Sequence, residues 1–300
     1  MATHRIPFHG PLDLARTLAP LRRGFGDPTI RLAGQRAWRA TRTADGPATL
    51  ALQIRDGDVV AEAWGPGRER ALEAVGTLVG LDDDRSAFAP AHPLVAELDR
   101  RFRGIRIGRS GAVLESLVPA ILEQKVTGEE ARSAFRALVR TLGEPAPGPP
   151  ELRLRLPPAA ERLAALPYHD FHPFGIERRR AELIRRAAAR ADWFEAIGEL
   201  PMDEAYRRLT ALPGLGPWTA AEVAIRALGD ADAVSVGDYH IPTLVCWALA
   251  REPHGDDARM LELLEPFRPH RGRVIRLLES AGIRTQRRGP RMAPRRIGSI

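Results

Sequence analysis

The chain has 300 residues, 44% hydrophobic and 28% charged, an ordinary globular composition with room for two cored domains. A single cysteine, Cys246, excludes a disulfide framework and any cysteine-ligated iron–sulfur cluster, and no apolar run is long enough to span a membrane. The net charge of +7, nearly all arginine with Lys125 the one lysine, points to a polyanionic partner without identifying it.

Met1 to Arg5 leads into no signal-peptide core, so a cytoplasmic protein is expected. From Arg5 to about Asp84 the pattern alternates or is turn-rich. Ile30–Leu32, Ala37–Arg42, Thr49–Ile54 and Val59–Trp64 read as strands, the last two joined by a hairpin at Arg55-Asp56-Gly57-Asp58. Pro11–Leu18 and Arg68–Val75 read as amphipathic helices, which makes residues 1–88 an α+β domain with an antiparallel sheet.

Residues 89–283 read as all-helical. Periodic segments run over His92–Phe102, Ala112–Gln124, Gly128–Leu142, Pro158–Leu166 and Ile176–Ala191, with a proline-rich spacer at Glu144–Pro150. Further helices are expected over Met202–Leu209, Ala220–Leu228, Asp238–Ala250, Asp256–Leu264 and Arg271–Ala281. Residues 284–300 form a basic tail, expected to be mobile and to serve either as an electrostatic arm or as a plain solvated end. Cys246 sits in an apolar run and reads as core. His169, Asp170 and His172 match no dedicated zinc spacing, and are expected to line a groove rather than hold a metal.

The most informative stretch spans residues 202–228, with Leu212-Pro213-Gly214-Leu215-Gly216-Pro217-Trp218-Thr219 at its centre. Gly214 and Gly216 stand where a tight turn needs positive φ or a close backbone approach, and Pro217 suits the first turn of the following helix. A helix N-terminus with free amides behind a side-chain-free turn binds phosphate oxygens.

This stretch resembles the helix-hairpin-helix motif of the DNA glycosylase superfamily, and Asp238 follows at the interval the family leaves before its catalytic aspartate. His92-Pro93-Leu94-Val95, Ile121–Thr127, and Phe174-Gly175-Ile176 followed by Ala181–Ile184 resemble segments of the bacterial 3-methyladenine DNA glycosylase II (AlkA) branch. The resemblance covers roughly Ala91 to Ala281 and, more weakly, the N-terminal domain. It implies the HhH-GPD glycosylase fold: mainly α, with two helical subdomains flanking a DNA cleft and an antiparallel-sheet N-terminal domain. It also implies a monomer that acts on double-stranded DNA containing damaged bases.

The resemblance assigns roles residue by residue. Asp238 steadies the positive charge that builds on the sugar as a base departs, and orients the attacking water. It also stands where aspartate caps a following helix, and the two roles are compatible. Trp218 occupies the position at which strand-cutting branches carry a Schiff-base lysine, so a monofunctional hydrolase without lyase activity is expected. Trp218 and Tyr239 match base-pocket positions, suited to electron-poor alkylated purines. Glu222 and His270 depart from the aromatic residues of the pocket and imply a more polar one. Gln124 and Lys125 occupy the wedge that fills the gap left by a flipped nucleotide. Gly214, Gly216 and Trp218, with the Thr219 hydroxyl, are the expected phosphate contacts. The carbonyls of Thr210, Leu212 and Leu215 resemble an alkali-ion site (Na+ or K+); no cofactor is expected for catalysis. Two other readings stay open: a glycosylase for oxidised or deaminated purines, and a non-catalytic protein that binds damaged DNA.

Overall fold

The computed structural model describes residues 2–283; Met1 and the stretch holding Arg284, Arg287, Arg288, Arg291, Arg295 and Arg296 lie outside them. Five strands, β1 (Ala2–Ile6), β2 (Ile30–Ala33), β3 (Arg36–Thr43), β4 (Gly46–Arg55) and β5 (Asp58–Trp64), form one antiparallel sheet in the order β1-β5-β4-β3-β2. The β4–β5 hairpin turns through Asp56 and Gly57, both at positive φ (53° and 87°), as a tight two-residue turn requires. Edge strand β1 escapes sequence reading because its middle residues Thr3, His4 and Arg5 are all exposed and show no alternation. Ala37, Leu50, Leu52, Val59 and Ala61 form the buried face, packed on Leu14, Leu18, Leu72, Val75 and Leu78 from the two helical stretches.

The proline-rich stretch is not a spacer. It turns back on itself through a Pro145–Arg155 bridge, with Ala146 N–H donating to the Leu154 carbonyl at 3.0 Å. Leu152, Leu154 and Leu156 then cover Trp38 and Ala40 of β3.

The helices surround two separate cores. Leu117, Ile121, Leu138, Ile184, Leu209 and Val223 lie in one, built from Val113–Leu122, Gly128–Leu142, Arg178–Ala188, Met202–Ala211 and Pro217–Val223. Val95, Leu98, Val245, Met260, Leu264 and Leu278 lie in the other, built from Pro93–Arg101, Ile241–Ala250, Asp257–Leu264 and Arg271–Ser280. The chain therefore starts the second core, builds the first, and returns. Val113–Leu122 is buried at every residue except Glu115, so truncating Ile121 to alanine would cost about 2–5 kcal/mol. Glu115 joins this helix to the sheet, accepting from Arg39 at 2.8 Å and from Thr41 Oγ1 at 2.9 Å. Among the described residues no helix is long and apolar enough to cross a membrane.

Candidate active site

The Met202–Ala211 helix ends at Leu212, whose carbonyl accepts from Leu215 N–H at 3.0 Å and closes the turn. Gly214 sits at φ 106°, a conformation that residues with a Cβ resist. Gly216 differs from expectation: its backbone is extended at φ −103° and open space surrounds the place of a Cβ. Pro217 begins the next helix, which runs as α over Pro217–Val223 and then widens into a π-helical turn over Ala224–Leu228. Pro217 has no N–H, and the N–H groups of Trp218 and Thr219 lack intrahelical partners at the positive end of the helix dipole.

Asp238 lies on the loop between this helix and Ile241–Ala250. Its Oδ1 accepts from the backbone N–H of His240 at 2.7 Å and of Ile241 at 2.9 Å. Its Oδ2 accepts from the indole Nε1–H of Trp218 at 3.0 Å. The bonds to the helix start and to the hairpin thus use different oxygens. The loop itself is pinned on both sides: Asp238 N–H donates to the Ser235 carbonyl at 3.2 Å, and Gly237 N–H to the Asp257 carboxylate at 3.0 Å. Gly237 holds φ 90° there, a conformation that favours glycine. Ser235 and Asp257 have no distinguishing pattern in the sequence, one being a lone serine in an apolar run and the other one more aspartate at a helix start.

Gln124 connects the expected wedge to the hairpin. Its Nε2 donates to the Gly214 carbonyl at 3.1 Å and to Thr219 Oγ1 at 2.9 Å. Lys125 is exposed and at φ 54°. The buried Arg180 donates to the Leu122 carbonyl at 2.9 Å, which holds the end of the preceding helix. Thr219 departs from its expected role: it is 2% exposed and its hydroxyl faces Gln124, so its side chain is no phosphate ligand.

No protein-family model matches the sequence. Over 174 residues the chain is 32% identical to a probable bifunctional transcriptional activator/DNA repair enzyme AlkA of Mycobacterium tuberculosis (strain ATCC 25618 / H37Rv); the match takes in 55% of this chain and 31% of that protein, so the chain spans under a third of its length. It is 25% identical over 228 residues to a DNA-3-methyladenine glycosylase of Bacillus subtilis (strain 168), covering 73% and 74% of the two. A solved 3-methyladenine DNA glycosylase from Archaeoglobus fulgidus superposes with a TM-score of 0.77 at 19% identity, over 93% of this chain and 98% of that one. The fold is that of the helix-hairpin-helix DNA glycosylases. The AlkA-type resemblance read from the hairpin and its neighbouring segments holds in both sequence and architecture.

Within this glycosylase fold two expected pocket residues are placed otherwise. Glu222 accepts from Ser235 Oγ at 2.6 Å and from Arg226 at 2.6 Å, an ion pair whose side chains are 12% and 15% exposed. Burial opposes its charge, but Arg226, Ser235 and Arg23 outweigh this and hold its carboxyl below the usual range. Both oxygens are engaged, so Glu222 braces the Asp238 loop instead of presenting a free carboxylate to a base. His270 is 6% exposed, edge-on to Phe88 at 5.2 Å, with Nδ1 facing Arg273 Nε at 3.4 Å. Arg273 in turn pairs with Asp83 at 3.0 Å. His270 is therefore packed into the junction at the start of the last helix. Tyr239 is 85% exposed, edge-on to His240 at 4.9 Å. Trp218, Glu222 and Arg226 form one i, i+4, i+8 stripe that reaches Asp238, Ser235 and the Pro20 carbonyl (3.0 Å from Arg226).

His169 lies 3.6 Å from Asp170, and no group of three His, Cys, Asp or Glu able to hold a metal occurs among the described residues. Cys246 is fully buried.

Proposed function

We propose that this chain is a monofunctional DNA glycosylase of base excision repair that removes alkylated bases and leaves an abasic site. The observation that carries the reading is the Asp238 carboxylate, oriented by three N–H donors beside the hairpin, with an indole where a lyase would need an amine. The amides of Gly214, Gly216 and Trp218 grip backbone phosphates, the contacts that set register on a duplex. Lys125 enters the gap, its methylenes replacing the stacked base and its ammonium reaching a phosphate or base edge.

Trp218 and Tyr239 then offer ring faces to the flipped base. Electron-poor, often cationic, alkylated purines gain from such faces by about 0.5–2 kcal/mol. As the C1′–N bond breaks, its electron pair leaves with the base and the sugar becomes cationic. Asp238 stabilises that cation, and water adds its oxygen to C1′ and passes a proton to the Asp238 carboxylate. The carbonyls of Thr210 and Leu212 belong to the negative end of the Met202–Ala211 helix, and with that of Leu215 across the turn they offer oxygen donors for an alkali ion that steadies it. That ion takes no part in the chemistry. The protein acts as a monomer.

Duplexes carrying methylated purines, hypoxanthine or 8-oxoguanine test the reading, with alkaline cleavage to reveal abasic sites and borohydride to trap any imine. Release of methylated bases without a trapped adduct is expected. A borohydride-stable adduct would show a lyase, and faster release of hypoxanthine or 8-oxoguanine would move the substrate class.

A further inference from the structure

Phe25 is 96% exposed, more than any other large hydrophobic among the described residues. A lone surface aromatic means little by itself. Phe25 differs because the loop that displays it is fixed from beneath. The buried Asp27 accepts from Arg23 N–H at 2.6 Å and from Thr29 N–H at 2.8 Å, and the Phe25 carbonyl accepts from Arg136 at 3.4 Å. An apolar ring is thus kept in water by a backbone with buried anchors.

The same loop lies against the wedge segment. Arg23, 6% exposed, reaches Glu123 at 3.3 Å, two residues before Lys125. A Cβ on Gly24 would come 2.2 Å from the side chain of Arg132, which also approaches Gly128 just past the wedge. Arg22, Lys125 and Arg132 are exposed cations on these adjoining segments. A fixed ring among cations, next to the point where DNA is opened, has the make-up of a base-stacking platform beside a phosphate track.

Resting on the glycosylase reading, we propose that Phe25 is a second DNA-engaging residue. Its ring stacks on a base exposed at the gap while Lys125 fills the space left by the flipped nucleotide, and Arg22 and Arg132 neutralise flanking phosphates.

The test uses a duplex with a stable abasic-site analogue and 2-aminopurine opposite or beside it, at fixed salt. Wild type and Asp238→Asn should bind this duplex more tightly than undamaged DNA and quench the probe. Phe25→Ala should bind roughly tenfold more weakly and lose the quenching, and Phe25→Trp should restore both. Arg132→Ala should lower the salt dependence by about one charge, whereas Phe25→Ala should leave that slope unchanged. If wild type prefers the abasic duplex and Phe25→Ala binds and quenches equally, the stacking role is wrong. If wild type shows no preference for the abasic duplex, the glycosylase reading falls and this inference with it.

Discussion

The indole of Trp218 and the carboxylate of Asp238 meet at 3.0 Å across the seam between the two helical cores. The hairpin and the loop that carries Asp238 are therefore coupled by a direct hydrogen bond, and a shift in one is felt by the other.

Replacing Trp218 with phenylalanine keeps a ring but removes the donor. Hydrogen bonds to charged groups contribute about 1.5–3 kcal/mol, so single-turnover base release should fall roughly tenfold or more, with affinity for an abasic duplex nearly unchanged. Equal losses in release and affinity would instead mean that Trp218 serves only to bind.

Glu222 and Ser235 form a second link behind the same loop. Glu222→Ala leaves Arg226 buried without its carboxylate, and breaking such a pair costs about 3–5 kcal/mol, visible as a lowered Tm. Ser235→Ala removes one hydrogen bond and should slow release several-fold while barely moving the Tm. Because the Glu222 carboxyl is held below its ordinary 4.5, its contribution is fully present above that pH and is lost as pH falls through the folded value. Glu222→Gln should flatten that part of the acid limb of a stability–pH curve.

Much of this was legible beforehand. The hairpin and most helices follow from turn chemistry and 3.6-residue periodicity, signals that are local in sequence, whereas the aspartate spacing stood out through the family resemblance. The side-chain environment of Glu222 and His270 was not. Their positions match a pocket in the family, but Arg226 and Ser235 claim one, and Phe88 and Arg273 the other. Thr219 likewise turned inward because Gln124, 95 residues away, supplies its partner. Long-range pairings of this kind decide which way a side chain faces, and nothing in the flanking residues announces them.

Gln124→Ala should release the Gln124–Lys125 loop, the proposed wedge, from Gly214 and Thr219. With two hydrogen bonds lost, affinity for an abasic duplex should drop about five- to tenfold, while binding to undamaged DNA, governed by phosphate contacts, changes less. An unchanged preference for the abasic duplex would show that the proposed wedge holds its place without this tie.

Burial, followed by the nearby Arg273, pushes the His270 imidazole below its ordinary 6.5, against the opposing pull of Asp83, Asp232 and Asp84. The unfolded chain therefore takes up this proton first, and stability falls as pH drops from about 6.5 toward the folded value. His270→Gln should remove that decrement. A Tm that declines identically in both proteins over this range would contradict it.

Asp238→Asn separates the chemistry at C1′ from DNA binding. In single-turnover assays on methylated duplex DNA at neutral pH, the variant should bind with near wild-type affinity and release no measurable base. Base release within tenfold of wild type would contradict the account and place the chemistry on another residue.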